Sequence, residues 1–325
     1  MTEHGPILAI DNLQTHFFTK AGVAKAVDGV SFSVKRAEIL GLVGESGSGK
    51  TVTGFSIMGL VDPPGRIVGG SIKFRGRALA NFPEHDWRAI RGSRIAMIFQ
   101  DPMMTLNPVL RVDTQMIEAV RAHHDVSRDE ARQRARDALG RVGIASPDER
   151  LASYPHQFSG GMRQRVAIAI ALLHKPLAIV ADEPTTALDV SIQGQILHEM
   201  QSVAAETGVA LIWITHDLAI VSSLADEICV MYAGRIVERG PADEVLTQPL
   251  HPYTRGLLDS VPGEIAPGSV LPQVPGAIPS LLRLGPGCAF RQRCSRAGER
   301  CAAMPALEPL APGRAARCHY PLVAA

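Results

Sequence analysis

Gly44-Glu45-Ser46-Gly47-Ser48-Gly49-Lys50-Thr51 is the stretch on which the reading of this chain turns. It follows a wholly apolar run, Ile39–Val43, and leads into Lys50–Leu60, which can continue as a helix. A short continuous apolar run is what a strand buried on both faces of a parallel sheet requires. The pattern G-x-x-x-x-G-K-S/T set between such a strand and a helix is a phosphate-binding P-loop. Its glycines let successive backbone N–H groups face one anion, at a helix N-terminus whose dipole also favours negative charge. Lys50 is then placed to reach the β- and γ-phosphates of a nucleotide, and the Thr51 hydroxyl to ligate Mg2+.

On either side of this loop, Ile7–Leu13 and Lys25–Lys35 alternate partially, and Gly69–Gly76 reads as a strand between glycine turns. From Asp101 to about Ser159 the pattern becomes helical. Ser127 and Glu130 form a capping-box pair, and Ala131, Ala135, Ala138, Leu139 and Val142 then recur at helical spacing. Apolar strands resume at Leu177–Ala181 and Val209–Thr215. Glu227–Tyr232, the turn Ala233-Gly234 and Arg235–Arg239 read as a hairpin. Pro262–Pro286 is a Pro/Gly-rich linker to a cysteine-bearing tail. The expected fold is α/β: a P-loop NTPase core with an antiparallel β subdomain, a helical insertion and a cysteine-containing C-terminal extension. The expected division is an ATPase domain over 1–260, with its insertion at about 101–163, and the linker and extension over 261–325.

Bulk composition narrows the function. Across 325 residues, 33 Lys plus Arg stand against 32 Asp plus Glu, without the basic surplus of a nucleic-acid binder. The most apolar region, Val166–Asp182, is interrupted by His174, Lys175 and Pro176, short of the ~20 residues of a spanning helix. Met1–Asn12 lacks a basic-then-apolar leader. The chain is therefore expected in the cytoplasm, with any membrane role exercised through partner subunits. Of five cysteines, Cys229 sits in an apolar run as a small core residue, and Cys288, Cys294, Cys301 and Cys318 crowd the tail. In a reducing compartment such a cluster favours metal over disulfides.

Leu177-Ala178-Ile179-Val180-Ala181-Asp182-Glu183 is an apolar strand ending in two carboxylates. With a P-loop upstream, Asp182 suits the Mg2+ position and Glu183 the orientation or deprotonation of the attacking water. Ser159-Gly160-Gly161-Met162-Arg163-Gln164-Arg165 resembles the signature of ABC ATPases, and the order P-loop, signature, acidic strand, histidine is the ABC order. Ser159 can cap a helix start whose N–H groups then face a phosphate. The family usually has leucine where this chain has Phe158 and glutamine where it has Met162. The methionine looks like the variant found in one of the two ATPase types of dipeptide importers. What the resemblance implies is two subunits paired head to tail, each signature (Ser159, Gly160, Gly161) closing over the other's ATP. It also implies a Q-loop glutamine at Gln100 touching Mg2+ and water, a D-loop ending at Asp189 that crosses to the partner, and a switch histidine at His216. Adenine would stack on an upstream aromatic, for which the chain offers Phe17 and Phe18; either serves equally as a core strand residue.

Further stretches resemble the oligopeptide/dipeptide importer ATPases: Gln100-Asp101-Pro102-Met103 with Leu106-Asn107-Pro108, Tyr154-Pro155-His156-Gln157, and Leu250-His251-Pro252-Tyr253-Thr254. The tail's Gly287-Cys288-Ala289-Phe290, Arg293-Cys294, Cys301 and Cys318 follow that family's pattern too. The resemblance implies a peptide importer with two ATPases, two transmembrane permeases and an extracytoplasmic binding protein, this chain lying on the cytoplasmic face of a bacterial inner membrane. The segment after Gln100 would contact the permeases. It further implies ATP and Mg2+ as ligands and a 4Fe–4S cluster on the four tail cysteines, with zinc or spare reduced thiols as alternatives; their C-x5-C-x6-C-x16-C spacing lacks the C-x2-C pairs of common metal sites. Nickel, glutathione or sugar-peptide importers use similar ATPases, so the cargo stays open, while the importer-type tail argues against export. A soluble ABC ATPase acting on DNA or ribosomes would need a second cassette, a coiled coil or basic surfaces, and none is evident. A subunit binding ATP only structurally would be expected to lack Glu183 or His216, and both are present.

Overall fold

The structure is a computed structural model and describes residues 5–80, 82–186, 188–261 and 273–322. Its elements run β1 (Leu8–Thr19), β2 (Gly22–Val34), β3 (Ile39–Val43), α1 (Lys50–Met58), β4 (Gly65–Phe74) and β5 (Arg77–Ala78). There follow α2 (Glu84–Ile90), β6 (Ile95–Ile98), α3 (Val112–Arg121), α4 (Arg128–Arg141), α5 (Pro147–Leu151), α6 (Gly160–Leu172), β7 (Ala178–Asp182), α7 (Val190–Thr207) and β8 (Ala210–Thr215). The chain continues through α8 (Leu218–Leu224), β9 (Glu227–Tyr232), β10 (Arg235–Pro241), α9 (Ala242–Thr247), α10 (Pro252–Asp259), β11 (Glu308–Ala311) and β12 (Arg314–Ala316). Contacts divide it into two units: the described residues of Met1–Val34, Ile39–Ala80 and Trp213–Ala325, and those of Lys35–Glu38 and Asn81–Ile212. Part of the expected linker, residues 262–272, and Ala187 of the expected D-loop lie outside the described residues.

In the first unit β1 pairs antiparallel with both β2 and β4, in the order β2-β1-β4-β5. These strands are longer than the alternation predicts. Register shifts fall between Ile10 and Leu13, Leu13 and Gln14, and Thr15 and His16, and across the first of them the buried positions change parity from Leu8 and Ile10 to Leu13 and Thr15. A bulge of this kind erases a period-2 signal without ending the strand. β3, with all five residues buried, runs parallel to β9 from Leu40 opposite Glu227 to Val43 opposite Val230. β9 and β10 form the expected hairpin, turning through Ala233 and Gly234, both with positive φ (47° and 81°). That pair of left-handed residues matches the twist of the flanking strands. Cys229 is fully buried in β9.

The tail adds two strands that the sequence did not announce. β12 pairs with β10, Glu238 lying opposite Ala316, and β11 pairs with β12. Beneath them Glu238, fully buried, accepts hydrogen bonds from the N–H groups of Leu250 (2.7 Å) and His251 (2.8 Å) and from Arg314 Nη2 (3.2 Å). His251 Nδ1 in turn accepts from the Tyr253 N–H at 3.0 Å, which begins α10.

In the second unit β6 and β7 run parallel, Ile95 opposite Ala178 through Ile98 opposite Ala181. α4 starts where the capping residue requires: Ser127 Oγ accepts from the Glu130 N–H at 3.1 Å. Its Ala131, Ala135, Ala138 and Leu139 are buried, and Ala131 joins Ile117 and Val120 of α3 in one apolar cluster.

The Glu238 cluster generates a stability prediction. Glu238→Ala leaves two backbone N–H groups without their acceptor and takes from the buried Arg314 guanidinium one of its partners, leaving the Gln248 carbonyl and Glu244, a loss of about 3–5 kcal/mol. Urea unfolding should show a lower midpoint at unchanged slope, with Glu238→Gln intermediate and the Arg314→Ala loss not additive to it.

Candidate functional site

The first unit carries the glycine loop between β3 and α1. Gly44 (φ 150°) and Gly49 (φ 106°) sit where a Cβ would lie 2.2 Å from the carbonyl oxygens of Met231 and Ala26 respectively. Between them, a Cβ on Gly47 would meet nothing within 4 Å. The loop is thus pressed backbone to backbone at both ends and open in its middle, the shape of a cradle. Gly49 at the N-terminus of α1 offers no capping side chain. Ser48 Oγ is buried and, among the described residues, has no hydrogen-bond partner. Lys50 is buried, its Nζ donating to Gly44 O (2.7 Å) and Glu45 O (3.0 Å). An open glycine backbone at Gly47, an orphaned hydroxyl and a held ammonium fit a polyphosphate. Thr51 follows on α1, whose Ser56 Oγ meets Thr15 Oγ1 at 2.8 Å and ties the helix to β1.

Phe17 and Phe18 both lie on β1. The Phe17 ring covers Gly65, where a Cβ would come within 2.6 Å of Cε1. Phe18 is more exposed and carries the Arg66 guanidinium 4.2 Å from its ring centroid. His216 is exposed just beyond β8, where the Asp217 N–H donates to Thr215 Oγ1 at 3.0 Å.

In the second unit β7 delivers Asp182, 2% exposed, and Glu183 at its end. Glu183 adopts φ 44°, a left-handed conformation that a non-glycine residue takes only when its surroundings impose it. Its Oε2 accepts from Gln100 Nε2 at 3.1 Å and from Thr186 Oγ1 at 3.0 Å. The Gln100–Glu183 contact joins two residues singled out separately in the sequence; Thr186 was seen only as part of a D-loop, and its threonine hydroxyl three residues after an acid is the signal that could have found it. Ser159 caps α6 by accepting the Met162 N–H at 3.3 Å. Gly160 is open, since a Cβ there would meet nothing within 4 Å, and Gly161 sits against Ile192. A cavity of about 450 Å³ is bounded by Ser159, Gly160, Gly161, Arg150, Arg165 and Asp189 among others. Phe158, immediately before Ser159, is 4% exposed.

The four tail cysteines are free. The Cys288 N–H donates to Cys301 O at 3.0 Å, and Cys318 Sγ accepts the Tyr320 N–H at 3.4 Å. Burial, with a smaller push from the neighbouring cysteines, raises the thiols of Cys288 and Cys294 and takes Cys318 up to about 11. Among the described residues, no group of three or more His, Cys, Asp or Glu side chains is disposed to hold a metal ion. The expected iron–sulfur or zinc site on Cys288, Cys294, Cys301 and Cys318 therefore has no support in this geometry.

Comparison with known proteins then decides the family. The ABC transporter family matches residues 27–186, and the oligopeptide/dipeptide transporter C-terminal region matches 237–301. The oligopeptide transport ATP-binding protein OppD of Escherichia coli K12 is 46% identical over 316 residues, spanning 97% of this chain and 94% of OppD. The chain belongs to the ABC transporter ATP-binding family. The dipeptide transport ATP-binding protein DppD of the same strain is 46% identical over 317 residues, 97% of each chain. A solved ATP-binding cassette, dimeric and bound to ADP and Pi, overlays with a TM-score of 0.66 at 24% identity, covering 72% of this chain and 98% of its own. That likeness speaks to the fold: a P-loop α/β core with an antiparallel sheet. This family member is an ABC ATPase, with ATP and Mg2+ as its ligands and a C-terminal region of oligopeptide/dipeptide-transporter type. Among its described residues no helix is long and apolar enough to cross a membrane.

The loop geometry separates two substitutions that look alike on paper. Gly44→Ala would drive a methyl into the Met231 carbonyl, whereas Gly47→Ala meets open space and only the roughly 1 kcal/mol left-handed penalty. Thermal melting should show Gly47→Ala folded and slightly destabilised, and Gly44→Ala lower by a much larger margin.

Proposed function

We propose that this chain powers a membrane importer of dipeptides or oligopeptides by hydrolysing ATP. The observation that carries the catalytic assignment is the Glu183 carboxylate at the end of β7, aimed by Gln100 and Thr186. In this reading the glycine loop Gly44–Gly49, through backbone N–H groups other than those of Glu45 and Ser48, and the Lys50 ammonium bind the phosphates. Thr51, Asp182 and Gln100 hold Mg2+, which when bound neutralises charge on the β- and γ-phosphates. Glu183 orients the attacking water and accepts its proton, and His216 steadies the γ-phosphate. Phe17 or Phe18 stacks on the base. Ser159, Gly160 and Gly161 close over the nucleotide of a paired subunit, beside Asp189. Positioning and charge neutralisation do most of the work, which is why N–H donors outnumber nucleophiles among these residues.

The organisation proposed with it is an ATPase domain over 1–260 containing the insertion at about 101–163, followed by the extension over 261–325. The assembly is a second ATPase subunit, two permeases and an extracytoplasmic binding protein, with this chain on the cytoplasmic face of a bacterial inner membrane. The relatives' roles in oligopeptide and dipeptide transport support peptide over nickel or glutathione as cargo. The tail cysteines carry no step. A metal on them is a finer reading that iron, sulfide and zinc analysis of anaerobically purified protein decides.

Glu183→Gln keeps the hydrogen-bonding shape and removes the base, so turnover should fall by roughly 100-fold or more while ATP binding persists. Steady-state hydrolysis and equilibrium nucleotide binding measure the two separately, and hydrolysis at the unmodified rate would remove Glu183 from this role.

A further inference from the structure

The mechanism leaves one part of the P-loop unaccounted for: the side chain of Glu45. It points away from the cradle into the C-terminal segment. Arg293 Nη1 donates to Glu45 Oε2 at 2.7 Å and Nη2 to Glu45 Oε1 at 2.9 Å, the two-pronged fit of a guanidinium on a carboxylate. The Arg293 side chain is 5% exposed and its other donors are also engaged. Nε donates to Pro275 O at 2.7 Å, Nη2 to Val274 O at 3.3 Å and Nη1 to the Tyr232 hydroxyl at 3.4 Å. The guanidinium is therefore fixed from both sides before it meets Glu45. A second hold acts on the backbone of the same residue: the Glu45 N–H donates to the Tyr253 hydroxyl at 2.9 Å. Tyr253 is fully buried, its ring 4.6 Å from that of Tyr232 and 5.4 Å from that of Phe290.

Glu45 is also the residue on which the nucleotide-binding lysine rests. Its carbonyl accepts Lys50 Nζ at 3.0 Å and the Ser48 N–H at 3.2 Å. Whatever fixes Glu45 fixes the entry of the cradle and the seat of Lys50. A loop built on glycines has much backbone freedom to lose when it closes on phosphates. Ordering it beforehand removes that loss from binding.

We propose that Arg293, held by the cysteine-bearing segment, is a positioning residue for the P-loop that raises ATP affinity through Glu45, with Tyr253 as its companion on the Glu45 backbone. The inference rests on the ATPase reading above. It gives the C-terminal segment a task in nucleotide binding, in a region that nothing in the P-loop motif itself would indicate.

The test uses the full chain. Arg293→Ala should raise both the KM and the Kd for ATP about tenfold, with kcat at saturating ATP within twofold, and Glu45→Gln should raise the Kd for ATP to the same extent. The double variant should be no worse than either single one, because both remove the same interaction. Arg293→Lys should recover only part of the loss, since an ammonium cannot reproduce the fork. Binding is read by titration of a fluorescent ATP analogue, well below the melting temperature of each variant. Unchanged ATP affinity in a folded Arg293→Ala protein, or single effects that multiply in the double variant, would overturn the proposal. Should Arg293→Ala fail to fold, Glu45→Gln leaves the C-terminal segment intact, and unchanged affinity there overturns it equally. An unmodified chain that binds no ATP would instead sink the ATPase reading on which it rests.

Discussion

A loop that wraps a phosphate must turn its N–H groups outward, and so its back must press on something that tolerates contact without side chains. In this protein that back is a pair of carbonyl oxygens, one from Met231 on β9 and one from Ala26 on β2, each 2.2 Å from where a Cβ would stand on Gly44 or Gly49. The approach is possible only because β3 lies beside β9 in a register that brings Val43 level with Val230. The buried parallel pair, the glycine spacing and the start of α1 are consequently one constraint seen from three sides. Losing any of them moves Lys50.

How much of this could be read from residues alone depended on the length scale of each signal. β3 was legible because five consecutive apolar residues have few other uses, and α4 because Ser127 and a run of alanines mark its start and its face. The β9–β10 hairpin was legible from Ala233-Gly234. β1 and β2 were found but cut short, since bulges near Leu13 and Thr15 scramble the alternation that a strand reading relies on. β11 and β12 were missed. They are four and three residues long, and their pairing with β10 is a long-range fact that no local pattern encodes.

The site divides in the same way. The P-loop and the acidic end of β7 announce themselves by motif, because phosphate and Mg2+ chemistry permits few residue types there. The orientation of Glu183 by Thr186 and the left-handed turn at Glu183 are consequences of local backbone geometry, visible only once β7 ends. Leu250-His251-Pro252-Tyr253-Thr254 was recognised as a family stretch without a reason. The structure supplies one: Glu238 receives the N–H groups of Leu250 and His251, and Tyr253 reaches the Glu45 backbone. The four cysteines illustrate the opposite case, a spacing that invites a ligand set and a geometry that does not form one among the described residues.

The strands contributed by the tail have a consequence for the edge of the sheet. β10, with Ile236, Val237 and Glu238 buried, would lie open along one side without β12, and a strand with unpaired N–H and C=O groups is a template for pairing with another copy. β12 closes that side. β11, which then becomes the outermost strand on that side among the described residues, is short and carries Pro309, a residue that cannot donate to a further strand. The C-terminal segment is in this sense also a hem: it finishes that side of the sheet with a strand unsuited to further pairing.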